Sequence, residues 1–127
     1  MSKRKGSNYE RELLEMFHST GFNGLRAAGS GSSRFPSPDL LVGRNGEVFA
    51  IEVKATSKEF VYVSEGQLSE LLQFSQNLNA TPLICVKFIG KGWRFFNHPR
   101  ESKSHRFSLV DNGFSMDWFT NKHLNDF

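Results

Sequence analysis

Asp39, Glu52 and Lys54 are the side chains whose types and spacing could do chemistry together. Asn45-Gly46, set between two apolar runs, is a strong signal for a two-residue hairpin, because both turn positions need positive φ. With that turn Arg44 faces Glu47, Val42 faces Phe49, Leu40 faces Ile51, and Asp39 comes to face Glu52. Directly opposed residues share a face, with Cβ atoms about 4.5–5.5 Å apart. Two carboxylates in that position repel each other unless something sits between them, and a divalent cation with oxygen ligands fits. Lys54 lies two residues beyond Glu52 and so on the same face, while Phe49, Ile51 and Val53 alternate toward the core.

The chemistry of that trio is coherent. Two carboxylates hold Mg²⁺, which keeps several waters and can accept a phosphate oxygen. The metal acidifies a bound water and neutralises charge on the phosphorus oxygens. A lysine ammonium can position the attacking water or stabilise the same charge. The competing reading is an ordinary exposed strand face with a charge-compensating lysine, and the registered pairing favours the metal site over it.

The surrounding elements must deliver these residues. Residues 7–20 read as an amphipathic helix with Tyr9, Leu13, Met16 and Phe17 at helical spacing, stopped by Gly21. A short strand is expected at 24–28. Gly29 to Pro38 is a loop by composition, and its hydroxyls and Arg34 suit a phosphate. The hairpin strands run over 39–43 and 47–55, and 60–63 extends the sheet. Ser64 and Gln67 fit a capping box that opens a helix running to about Asn79, with Leu68, Leu71, Leu72 and Leu78 on its apolar face. Phe74 falls off that stripe and needs another apolar home. Strands follow from Leu83 to Ile89, at 93–96 and at 107–110, with 97–106 polar and irregular and a short helix at the end. This order predicts one α/β domain over residues 1–127, a mixed β-sheet flanked by helices.

Composition narrows the function classes. The chain has 127 residues with 38% hydrophobic and 13% aromatic content, enough for one real core. No apolar run approaches the length of a membrane span. Lys3-Arg4-Lys5 leads into Gly6-Ser7-Asn8-Tyr9-Glu10 instead of an apolar stretch, so no secretory signal is expected. A single cysteine, Cys85, excludes an internal disulfide framework and reads as core packing in a reduced, cytoplasmic protein. His18, His98, His105 and His123 lack metal-ligand spacing. The net charge of +3 resolves into +3 over 1–44, −3 over 45–86, +5 over 87–106 and −2 over 107–127. The basic and aromatic cluster of Lys87, Lys91, Trp93, Arg94, Phe95, Phe96 and Arg100 suggests a polyanion partner. Trp93, Phe95 and Phe96 themselves read as core or sheet residues rather than base-stacking platforms.

Pro38-Asp39 followed by Glu52-Val53-Lys54 resembles the PD-(D/E)xK nuclease motif. With Lys5-Gly6, Glu10-Arg11-Glu12-Leu13, Arg26-Ala27-Ala28-Gly29-Ser30, Val86-Lys87-Phe88 and Gly92-Trp93-Arg94-Phe95 in that order, the chain is similar to the archaeal Holliday junction resolvases over residues 3 to about 96. The resemblance implies a restriction-endonuclease-like core and a homodimeric, Mg²⁺-dependent endonuclease, with Mn²⁺ able to substitute, that resolves four-way DNA junctions by paired nicks in recombination and repair. It implies Glu10 as a helix-borne acidic member of the metal site beside Asp39 and Glu52, with Lys54 as the catalytic lysine. It implies phosphate-binding or catalytic-support roles for Arg11 and Arg26, with Lys5 and Arg34 beside them on the DNA surface. Ser30 and Ser37 are both candidates for a catalytic loop serine. Phe74, with Leu78 where some members carry an aromatic, matches the dimer-forming helix. The rival readings are another nuclease on the same scaffold, of restriction or repair type, and a non-catalytic junction-binding protein.

Overall fold

The computed structural model describes residues 3–27, 35–97 and 105–124, with side chains described over 6–27, 35–97 and 105–120. Helix α1 spans Lys3–Ser19, β1 Asn23–Arg26, β2 Leu40–Arg44, β3 Glu47–Thr56 and β4 Phe60–Tyr62. Helix α2 covers Glu65–Leu78, and β5 Thr81–Phe88, β6 Gly92–Asn97, β7 Arg106–Ser108 and α3 Met116–Leu124 complete the order. Five strands form one sheet in the order β1-β2-β3-β5-β6, and β4 pairs with β7 apart from it. β3 and β5 run parallel and the other pairs antiparallel, so this is the expected mixed sheet. A parallel pair needs a long crossover, and here it contains β4 and α2.

The hairpin register is the one the turn dictates. Leu40 pairs with Ile51, Val42 with Phe49 and Arg44 with Glu47. Asn45 and Gly46 sit at φ 53° and 82°, the left-handed pair of a tight hairpin. One face of β3 sends Phe49, Ile51 and Val53 into a core with Leu13 and Phe17 of α1 and Phe119 of α3. The other face carries Ala50 into a second core with Leu68 and Leu71 of α2 and Phe107 of β7. Central β5 is covered on both sides, so Leu83, Ile84, Cys85 and Val86 are all buried in succession.

Helix α1 begins at Lys3, earlier than the apolar periodicity suggests, because Lys and Arg are good helix formers and need no buried partner. Gly21, at φ 91°, ends it. The Arg44 guanidinium then locks the corner. It donates to the Thr20 and Phe119 carbonyls and lies 4.6 Å above the centre of the Phe22 ring. The capping box forms as read: Ser64 Oγ accepts from Gln67 N, and Gln67 Oε1 accepts from Ser64 N. The irregular stretch read at 97–106 falls largely outside the described residues.

Among the described residues of the basic and aromatic cluster, the phenylalanines enter the cores and two lysines form ion pairs. Phe95 and Phe96 are buried, one in each core. Lys87 pairs with Glu12 at 2.9 Å and Lys91 with Glu59 at 2.9 Å. The Trp93 indole donates to Glu12 Oε2 at 2.6 Å. Arg100 lies outside the described residues. Sheet residues alternate faces, so a run of mixed charge and aromatics divides between core and ion pairs.

Candidate active site

The site forms where the face of β3 that buries Ala50 opens past the edge of that core. Asp39 stands directly before β2 and is 8% exposed. Its backbone is held on both sides: its N–H donates to the Ile51 carbonyl at 2.9 Å, and its carbonyl accepts from Ala27 N at 2.9 Å. Its side chain is held too, because Oδ2 accepts the Val53 amide at 2.8 Å. A charge-assisted bond of this kind fixes the carboxylate before any ligand arrives.

Glu52 comes beside it as the hairpin arithmetic requires. Burial is the first reason that its carboxyl is pushed up to about 9, and the hydrogen bond to Asp39 and the Asp39 charge are the next. Lys54 opposes that shift and Glu10 adds to it. Glu10 is itself held above the ordinary carboxylate range, by burial and by the charge of Asp39, while Arg26 and Arg11 pull it back. Asp39, Glu52 and Glu10 are therefore one electrostatically coupled set. They do not close into a three-ligand group: among the described residues no three His, Cys, Asp or Glu side chains are arranged to hold a metal ion. Glu10 is engaged instead by Arg26, at 3.2 Å.

Lys54 extends from the same face and donates from Nζ to Gln67 Oε1 at 3.2 Å. Arg11 is exposed, with Nη1 bonded to Asn8 Oδ1 at 3.3 Å. Arg26 is mostly covered by its ion pair with Glu10. Ser37 lines a small apolar cavity with Leu25, Ala27, Pro38, Leu41 and Phe74. Ser30 and Arg34 lie outside the described residues. Lys5 falls in α1, with a side chain outside them. Phe74 finds its apolar home in that cavity and the second core, whereas Leu78 is 51% exposed.

Two features were not read from the sequence as parts of a site. Gln67 was legible as a helix cap, but its bond to Lys54 depends on where the crossover sets α2. Glu12 is joined to Lys87 and Trp93, which are 75 and 81 residues away in sequence, so no local pattern announces the contact.

A five-stranded mixed sheet between helices, with a buried acid at the start of one hairpin strand and Glu-x-Lys on the next, defines a protein of restriction-endonuclease-like fold. The family model for archaeal Holliday junction resolvases matches residues 1–115, and the chain belongs to that family. The crossover junction endodeoxyribonuclease Hjc of Archaeoglobus fulgidus is 38% identical over 94 residues, 74% of this chain and 69% of that one. The Hjc of Methanocaldococcus jannaschii is 38% identical over 88 residues, 69% and 62% of the two chains. The crossover junction endodeoxyribonuclease of Sulfolobus islandicus rod-shaped virus 1 is 35% identical over 89 residues, covering 68% and 74%. The crystal structure of A. fulgidus Hjc, a Holliday junction resolvase, superposes with a TM-score of 0.81 at 31% identity, over 91% of this chain and 98% of that one.

Proposed function

We propose that this chain is a homodimeric, Mg²⁺-dependent endodeoxyribonuclease that resolves four-way DNA junctions by paired nicks. The observation that carries the reading is the buried Asp39–Glu52 pair with Lys54 on the same strand face. Two carboxyls in contact fit a hard divalent cation, because one of them otherwise has to keep a proton that burial and its neighbour force on it. Asp39 and Glu52 would hold Mg²⁺, which when bound supplies a water of lowered pKa and positive charge beside the phosphate oxygens.

The chain's own residues do the rest. Val53 N–H keeps Asp39 oriented. Arg26 holds Glu10 at the margin of the acidic pair, ready to accept a proton or a water hydrogen bond. Lys54 brings its ammonium to the same face, where positive charge offsets negative charge developing on the phosphorus oxygens. Exposed Arg11, one residue beyond Glu10, is free to meet an adjacent phosphate. Specificity for the junction then rests on its shape and its phosphates, and Mn²⁺ is expected to substitute.

The test offers the purified protein a synthetic four-way junction, a linear duplex and a supercoiled plasmid, each with Mg²⁺, Mn²⁺ or chelator. Junction cleavage that needs the metal and spares the duplex is expected. Asp39→Asn should keep junction affinity and abolish cutting. Equal cutting of duplex and junction would favour a restriction or repair nuclease, and binding with no cutting under any metal would leave a junction-binding protein.

A further inference from the structure

We propose that Gln67 is the positioning residue for Lys54, so that the cap of α2 also sets the ammonium's place in the active site. The inference rests on the reading of Lys54 as the lysine of the reaction and adds to it the group that orients it. A lysine ends in a compact charge on a flexible four-carbon stem, with three donors that can point many ways. Near the acidic pair it needs a fixed acceptor to hold a single position.

Gln67 supplies one. Its Oε1 accepts from Lys54 Nζ at 3.2 Å and from Ser64 N at 3.3 Å. Its own backbone N–H donates to Ser64 Oγ at 3.1 Å. The side-chain oxygen is thus tied to the first turn of α2 before Lys54 reaches it. Ser64 sits at φ −65°, ψ 153°, extended as an N-cap requires, so the cap geometry and the lysine contact are made together. A pre-held acceptor keeps one ammonium hydrogen on the protein and leaves the other two for water or phosphate. The charge of Lys54 already acts on Glu52, lowering the shift that burial imposes, which places the ammonium within electrostatic reach of the metal pair.

Helix capping and lysine positioning can be separated. Gln67→Ala removes both. Ser64→Ala removes the serine half of the cap and leaves the acceptor for Lys54. Gln67→Glu keeps the cap, since Glu serves equally at that position, and keeps an oxygen for the ammonium. For each full-length variant, the melting temperature, junction affinity in chelator and single-turnover cleavage of a synthetic junction with Mg²⁺ are measured. Gln67→Ala should cut about tenfold more slowly with unchanged junction affinity, the signature of an interaction used in the chemical step. Ser64→Ala should melt earlier yet cut within about threefold of the parent, and Gln67→Glu should recover both melting and cutting to within about threefold. Equal slowing by Ser64→Ala and Gln67→Ala would reduce Gln67 to a cap, and parental cutting by Gln67→Ala would overturn the proposal. Lys54→Ala is the control on the reading beneath it: if that variant cuts like the parent, the role of Lys54 fails rather than that of Gln67.

Discussion

A carboxyl that holds its proton in the neutral range makes folding depend on pH in an unusual direction. Glu52 binds its proton more tightly folded, at about 9, than its ordinary 4.5. Between those values the folded chain carries more protons than the unfolded one, so stability falls as pH rises. The contribution of Glu52 is fully present below about 4.5 and is lost as pH climbs toward about 9. Glu52→Gln cannot ionise and keeps an amide for Asp39. In chelator at alkaline pH it should melt several degrees above the parent, an effect of about 1–3 kcal/mol for relieving a buried charge. Near the ordinary carboxyl value the two should melt together, and parallel melting curves at every pH would remove Glu52 from the buried pair. The two arginines also separate at this scale. Each phosphate neutralised contributes about −0.9 to the slope of log K against log salt. Exposed Arg11 changed to Ala should flatten the slope of junction binding by about that amount. Arg26, engaged with Glu10, should change cleavage more than the slope, and equal flattening by both would place Arg26 on the DNA surface instead.

The hairpin is the element that builds the site, and its register was legible because a two-residue turn leaves no freedom in the count. Once Asn45-Gly46 is accepted as the turn, Asp39 and Glu52 follow without further assumption. The capping box was legible for the same reason: its bonds span three residues. What stayed hidden was the meeting of elements distant in sequence. Arg26 belongs to β1 and Glu10 to α1, yet the two form an ion pair, and Lys87 and Lys91 near β6 find their acidic partners on other parts of the chain. Two glycines show how tightly the site's strands are held. Gly46, at φ 82°, has nothing within 4 Å of a Cβ, so Gly46→Ala meets backbone strain alone. It should lose about 1 kcal/mol and cut junctions normally. Gly24 in β1 differs, because a Cβ there would meet the Leu41 carbonyl oxygen and Val42 Cγ1, each at 2.6 Å. Gly24→Ala must push β1 from β2 and should lose about 1–3 kcal/mol. Since Arg26 rides on β1, it should also slow cleavage. Comparable melting temperatures for the two variants would mean that β1 gives way freely and does not set the position of Arg26.

At the scale of the whole molecule, the proposed reaction asks for two active sites. One site per 14.5 kDa chain nicks one strand, so symmetric nicks across a junction call for two chains. A twofold interface uses the same patch on both. The candidate patch lies along α2 and the edge of β1. Leu78 is 51% exposed and Leu25 59%, and Leu25 and Phe74 line one apolar cavity of about 140 Å³ between those elements. Phe74 is partly satisfied within its own chain, packed against the second core, so its ring alone does not demand a partner. The exposed leucines flanking it do call for one, because covering them on association would remove apolar surface from water. Leu78→Glu, at an exposed position, should leave folding intact and halve the sedimenting mass from about twice the chain mass to that of one chain. Phe74→Glu should do the same and also lower the melting temperature, because it places a charge against the core. Both variants should lose paired nicking while the monomer still cuts single strands slowly. If the parent sediments as one chain at micromolar concentration with junction DNA bound, the paired mechanism fails and two independent nicks take its place.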